Sequence, residues 1–76
     1  MDDATIRRMI REKVRADLLP RKPPHKMWGG HGDGRTCAAC DRPITGGQVE
    51  FEIETLGVAF YFHGHCHDLW CEEREA

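Results

Sequence analysis

Serine is absent from this sequence of 76 residues, and tyrosine occurs only once. Without serine the chain has no serine nucleophile, and the sequence places no acidic and basic side chains together as a general acid and base. We therefore expect that the protein is not an enzyme.

Large apolar residues are also scarce. Leu, Ile, Val and Phe together account for 14 of the 76 residues, roughly 18%, which is lower than in most chains that fold around an apolar core alone. A chain of this length forms one domain at most and buries only about 60% of its unfolded surface. Such a chain either stays partly disordered or supplements its thin core with disulfides, a metal ion or a partner subunit.

Long apolar runs are missing. The N-terminal stretch "MDDATIRRMIREKV" is charged throughout and has no apolar segment of the length found in export signals. No other segment is long enough to cross a bilayer. These features predict a cytoplasmic protein with no membrane partner. In the cytoplasm, cysteines more often bind metal than form disulfides.

The formal net charge of −2 is unevenly distributed. Residues 1–26 contain eight basic and four acidic residues, whereas residues 27–76 contain three basic and nine acidic residues. The basic segment suits either a nucleic-acid arm or a helix that docks on the acidic remainder of its own chain.

Residues 1–19 predict an amphipathic helix, which we expect to run from Asp3 to Leu19 and to end at Pro20. Its apolar residues recur at helical spacing: Ile6, Met9, Ile10, Val14 and Leu18. Residues 20–36 are rich in Pro and Gly, which predicts an irregular connector in which Trp28 is a packing anchor. "GGHGDG" within it lacks the residue order of a phosphate-binding loop.

Residues 37–76 predict a zinc-binding finger. "CAAC" forms a knuckle, and the strict alternation of residues 48–54 predicts a strand covered on one face. A second strand at residues 58–62 completes a β-hairpin, and residues 64–74 predict a C-terminal helix. The expected fold is a small, zinc-stabilised α+β domain.

Cysteine and histidine occur at the spacing of metal ligands. Cys37 and Cys40 can present both sulfurs to one ion, and a redox disulfide would instead expect a βαβ context. His63 and Cys66 repeat the two-residue gap, and residues three apart share a helix face. We predict one Zn²⁺ ion bound by Cys37, Cys40, His63 and Cys66.

Other ligand sets stay open, because His65, His67 or Cys71 could replace one of these residues. Thiolate is the better zinc ligand, and the first helical turn favours an anion at Cys66. We therefore expect His65 and His67 to be exposed polar residues and Cys71 to be a half-buried apolar one. A second metal site formed by His31, His67 and Cys71 is a further alternative.

The order C-x2-C, turn, hairpin and H-x2-C opening a helix, with Phe62 before the histidine, resembles the first zinc module of a LIM domain. More broadly it resembles a treble-clef finger, and the chain resembles small uncharacterised bacterial proteins with a lone finger of this kind. A LIM domain continues with a second zinc half, which "HDLWCEEREA" does not supply, so the resemblance implies no LIM-type partner binding.

Three thiolates and one imidazole would leave zinc no open position, which is typical of a structural site. We expect a small protein-interaction or regulatory adaptor that binds another protein through the helix or the Trp28 segment. A nucleic-acid-binding regulator is the alternative, although the acidic strand face formed by Glu50, Glu52 and Glu54 would repel phosphate. It would use Arg7, Arg8, Arg11, Lys13, Arg15, Arg21, Lys22 and Lys26. A thiol-based redox sensor that releases zinc on oxidation is a third class.

Overall fold

The computed structural model describes residues 1–75 and is a small α+β domain. Two helices and a three-stranded antiparallel sheet follow one another as α1 (Asp3–Arg15), β1 (Lys26–His31), β2 (Val49–Thr55), β3 (Val58–His63) and α2 (Gly64–Glu73). The strand order in the sheet is β1-β2-β3. The predicted two-stranded hairpin is therefore part of a larger sheet.

Helix α1 begins where Asp2 caps it. The Asp2 carboxylate accepts a hydrogen bond of 2.9 Å from the backbone N–H of Thr5, which satisfies one of the free donors at the helix start. Ile6, Ile10 and Val14 are buried, as the helical spacing of apolar residues predicts.

The predicted end of this helix at Leu19 is wrong, because α1 ends at Arg15. Asp17 adopts a positive φ of 60°, and the N–H of Leu18 donates to the carbonyl of Lys13 at 2.8 Å, as in a Schellman motif. This reversal leaves Leu18 63% exposed and brings Leu19 into the core instead.

Strand β1 lies within the segment predicted to be an irregular connector, so that prediction is wrong for residues 26–31. The strand pairs with β2 along its whole length, with Met27 opposite Ile53 and Gly29 opposite Phe51. Trp28 is 49% exposed on this outer strand and is not a packing anchor.

The buried tryptophan is Trp70 of α2. Its side chain is fully buried, and its indole N–H donates a hydrogen bond of 3.0 Å to the carbonyl of Pro20. This bond satisfies the polar atom of a buried aromatic residue and ties the segment after α1 to the last helix.

Strands β2 and β3 form a hairpin whose tip contains Leu56 and Gly57, both with positive φ. Phe62 lies opposite Phe51, and Ile53 follows on the same face, which packs against α2. The opposite face carries three acidic residues of β2, which are Glu50, Glu52 and Glu54.

Helix α1 packs against α2, and the core lies between these helices, the sheet and the Cys37–Cys40 turn. Among residues 1–75, no helix has the length and apolar character needed to cross a membrane. The core consists of thirteen buried residues, three of them predicted metal ligands: Ile6, Ile10, Val14, Leu19, Cys37, Ala39, Cys40, Ile44, Ile53, Phe62, Cys66, Leu69 and Trp70.

Candidate metal centre

The first two cysteines lie in a tight turn. The N–H of Cys37 donates to the carbonyl of Arg42 at 2.9 Å, and the N–H of Asp41 donates to the carbonyl of Cys37 at 3.0 Å. Asp41 has a positive φ of 65°, which lets the chain reverse directly after Cys40. Both cysteines of the turn are buried.

Lys13 of α1 fixes this turn from outside. Its ammonium donates to the carbonyls of Ala38 and Ala39 at 2.9 and 3.0 Å and pairs with the Asp41 carboxylate at 2.6 Å. Its side chain is only 17% exposed. The positively charged ammonium of Lys13 is therefore bound to the two carbonyls between the cysteines.

The other two residues of the cluster lie where β3 passes into α2. His63 is the last residue of β3, and Cys66 lies in the first turn of α2. The Cys37–Cys40 turn is attached to the end of β3, because the N–H of Ala38 donates to the carbonyl of Tyr61 at 2.7 Å. The N–H of His63 lies 3.5 Å from the Cys37 sulfur.

The four predicted ligands form one cluster. One ligand atom from each of Cys37, Cys40, His63 and Cys66 lies within 4.8 Å of the others. The Nδ1 atom of His63 is 3.5 Å from the Cys40 sulfur and 3.8 Å from the Cys66 sulfur. A tetrahedral zinc site with ordinary bond lengths requires about 3.6 Å between sulfur and nitrogen. The cluster therefore has the dimensions to hold one metal ion.

The hydrogen bonds of the His63 ring determine which nitrogen faces the cluster. Its Nε2 atom lies 3.1 Å from the carbonyl of Pro43 and 3.0 Å from Oε1 of Gln48, and both partners are acceptors. Nε2 must therefore carry the proton and donate, which leaves the lone pair on Nδ1 free for a metal. Gln48 is held in turn by a hydrogen bond from the N–H of Thr45.

The three thiols shift one another's pKa values in opposite directions. A hydrogen bond from the Cys66 thiol lowers the pKa of Cys37 to about 4, with further help from backbone N–H groups. The same contact raises the pKa of Cys66, and burial of Cys66 is the second cause. Burial also raises the pKa of Cys40. These shifts favour the thiolate form of Cys37 over those of Cys40 and Cys66, and a bound cation would favour the thiolate form of all three.

The competing ligands lie outside this cluster. Within residues 1–75, the four residues named above are the single group of three or more potential ligands, so no second site forms from His31, His67 and Cys71. His65 is exposed, and its Nε2 atom lies 2.8 Å from the Asp3 carboxylate. Cys71 is exposed rather than half-buried.

The prediction that His67 is exposed is wrong, because only 8% of the residue is accessible. Its ring centroid lies 4.9 Å from that of Phe51 and 5.8 Å from that of Trp70. His67 therefore packs from α2 against the sheet as an aromatic residue.

The residues that support the ligands have no recognisable sequence pattern. The spacing of Lys13 and Gln48 relative to the cysteines has no characteristic pattern, since both act through contacts between distant segments. Comparison of the chain with models of protein families, with curated proteins and with solved structures finds no match.

Proposed function

We propose that this chain is a structural zinc module, similar to a treble-clef finger, that acts without catalysis as a protein-interaction adaptor. The observation that carries the proposal is the gathering of four ligand atoms within 4.8 Å of one another among the buried residues of the domain. An ion there would join the Cys37–Cys40 turn to the beginning of α2.

The donor set favours zinc. Three thiolates and one imidazole are soft and borderline donors that suit Zn²⁺ in tetrahedral coordination, whereas Mg²⁺ and Ca²⁺ prefer oxygen. Four protein ligands leave no position for water or substrate. Cys37, Cys40 and Cys66 are each at most 4% exposed, which suits a closed structural site.

The ion would supply much of the stability of the domain. Structural zinc in small peptides contributes about 10–16 kcal/mol of apparent binding free energy at neutral pH. Whole domains are stable by only about 5–15 kcal/mol. Metal binding is therefore large enough to compensate for the small apolar core.

The adaptor role is supported by what remains accessible. The apolar face of α1, with Ile6, Ile10 and Val14, is buried within the domain and cannot receive a partner. Met27 and Trp28 on β1 are each 49% exposed. We propose that the partner is a protein and that it contacts the β1 side of the sheet.

Nucleic-acid binding through the basic segment has weaker support. Arg7 and Arg11 each bind the Glu73 carboxylate at 2.8 Å, and Lys13 is bound to the cysteine turn. These cations are neutralised by the protein itself. An electrophoretic titration with mixed DNA and RNA at low salt tests this alternative, and a salt-sensitive shift would support it.

Parallel substitution of two cysteines on α2 tests the zinc module. We expect one zinc ion per chain in the wild type and in Cys71→Ser, which changes an exposed residue, and a folded far-UV spectrum in both. Cys66→Ser should lose the ion and unfold, because a buried ligand is removed. Metal analysis and circular dichroism with and without chelator provide the measurement. Full zinc binding by Cys66→Ser, or a wild-type chain that stays folded without metal, would contradict the proposal.

A further inference from the structure

Strand β1 has a free edge. In the part of the chain that the structure describes, β1 pairs with β2 alone, and all six of its residues are exposed. The N–H of Gly32 donates to the carbonyl of Gln48 on the β2 side. In an antiparallel ladder the backbone N–H and C=O groups of successive residues point alternately towards and away from the neighbouring strand. Since those of Gly32 point towards β2, the groups of Met27, Gly29 and His31 point away from it. The edge therefore presents three donors and three acceptors.

This pattern of donors and acceptors is complementary to itself. If two β1 strands run antiparallel with Gly29 opposite its own copy, Met27 of each strand lies opposite His31 of the other. Each of these pairs exchanges two hydrogen bonds, so all six groups of each edge are satisfied. A two-fold axis perpendicular to the sheet at Gly29 relates the two copies.

The side chains also fit in this register. Trp28 of one copy lies opposite Gly30 of the other and on the same face of the sheet. Trp28 is a large, half-exposed ring, and a side-chain carbon added at Gly30 would have no neighbour within 4 Å. The space above Gly30 is therefore open within one copy, which leaves room for the indole of the other strand.

Charge favours the same arrangement. Lys26 lies opposite Gly32 of the other copy and thus beside its Asp33, which also pairs with Arg35 at 3.2 Å. The acidic residues of β2 lie one strand further inside each copy. The two acidic rows are then about 14 Å apart, beyond the screening distance at physiological salt.

The pairing would stop at two copies. The outer edge of β3 is covered near its end by the cysteine turn, through the hydrogen bond from Ala38 to Tyr61 and the contact between His63 and Cys37. That end of β3 is therefore not free to pair with another strand, while the β1 edge of each copy is already used by the pairing.

We propose that two copies of this chain pair through β1, antiparallel about Gly29, to form one continuous six-stranded sheet. The inference rests on the proposed protein-binding function and names a second copy of the chain as the partner. Trp28 covering Gly30 and the alternating backbone groups of Met27, Gly29 and His31 specify the register.

The test uses the zinc-loaded full chain. Sedimentation from about 10 μM to about 1 mM, a range suited to small interfaces, should show the mass rising from 8.7 kDa towards twice that value. Hydrogen exchange should show protection of the Met27, Gly29 and His31 amides that increases with concentration. The amides of Trp28 and Gly30, which face β2, should be protected at every concentration.

Two glycine variants provide matched perturbations. Gly30 and Gly47 both have open space around the missing side chain, so Gly30→Lys and Gly47→Lys should both fold and bind zinc. Gly30→Lys fills the place of the partner's Trp28 twice per dimer, so it should raise the dissociation constant about ten- to thirtyfold. Gly47→Lys should dimerise like the wild type.

Three results would overturn the pairing: a zinc-loaded chain that stays monomeric throughout, a dimer whose three edge amides exchange freely, or equal dissociation constants for the two lysine variants. Binding of an unrelated extended segment along β1 of a monomeric chain would overturn it as well. Each of these outcomes leaves the zinc module intact, whereas absence of bound zinc would instead refute the proposed function.

Discussion

Replacement of His67 by alanine tests whether this ring packs in the core or binds the metal. The ring lies 4.9, 5.8 and 6.1 Å from the rings of Phe51, Trp70 and Phe62. Each such pair contributes about 0.5–1.5 kcal/mol beyond buried area. Truncation of a buried phenylalanine costs about 3–5 kcal/mol, and imidazole is smaller. We expect His67→Ala to reduce the free energy of unfolding by about 2–3 kcal/mol.

His67→Phe is the matched control, because it keeps a flat aromatic ring in the same place. We expect its stability to differ from the wild type by less than about 1.5 kcal/mol. The assay is thermal unfolding of the zinc-loaded chain, together with metal analysis. At about 4–8 °C per kcal/mol for a domain of this size, His67→Ala should lower the Tm by about 8–24 °C.

Both His67 variants should retain one ion per chain, since the ring lies outside the ligand cluster. The reasoning is refuted if both variants lose the ion, because His67 would then be a ligand. It is also refuted if His67→Phe is as unstable as His67→Ala, because packing of the ring would not explain the loss.

Three further predictions concern the residues around the core. Gln48→Ala should weaken zinc binding about tenfold in a chelator competition, since one acceptor of the His63 proton is lost, and Gln48→Glu should restore it. Hydrogen bonds from two arginines of α1, with Arg11 contributing most, hold the pKa of Glu73 below its ordinary value of 4.5. The ionised Glu73 carboxylate should stabilise the fold fully above pH 4.5, and this stabilisation should be lost as the pH falls through the lowered pKa. In pH-dependent unfolding, Glu73→Gln should therefore lose less stability in acid than the wild type. Gly32→Ala should destabilise the domain in a urea titration while Gly47→Ala does not, because the added carbon at Gly32 would lie 2.3 Å from a backbone oxygen; equal midpoints would contradict this.

Much of the fold could be predicted from local sequence patterns. The alternation of β2 and the composition of β3 and α2 predict these elements to within one residue of their observed ends. The repeated two-residue gap predicts which four residues cluster, since the geometry of a tight turn and of a first helical turn is local.

Strand β1 could not be predicted in the same way. Its glycines and the prolines before it indicate a loop, and the hydrogen bonds that make it a strand come from β2, more than fifteen residues later. The burial of His67 was missed for a similar reason, because its polar side chain indicates exposure until Phe51 and Phe62 are brought against it. The early end of α1 depends on the positive φ of Asp17. Aspartate adopts a positive φ in only a minority of cases, so the residue type alone does not predict it.

The contact between Lys13 and the cysteine turn joins helix α1 to the candidate metal cluster. A divalent ion with three thiolates would carry a net charge of −1, and the ammonium of Lys13 is hydrogen-bonded to the carbonyls of Ala38 and Ala39, beside two of those sulfurs. Loss of such an ion would weaken the contact between the cysteine turn and α1, and detachment of α1 would in turn weaken binding of the ion. If the proposed site binds zinc, the affinity for the ion and the docking of α1 would therefore depend on each other reciprocally.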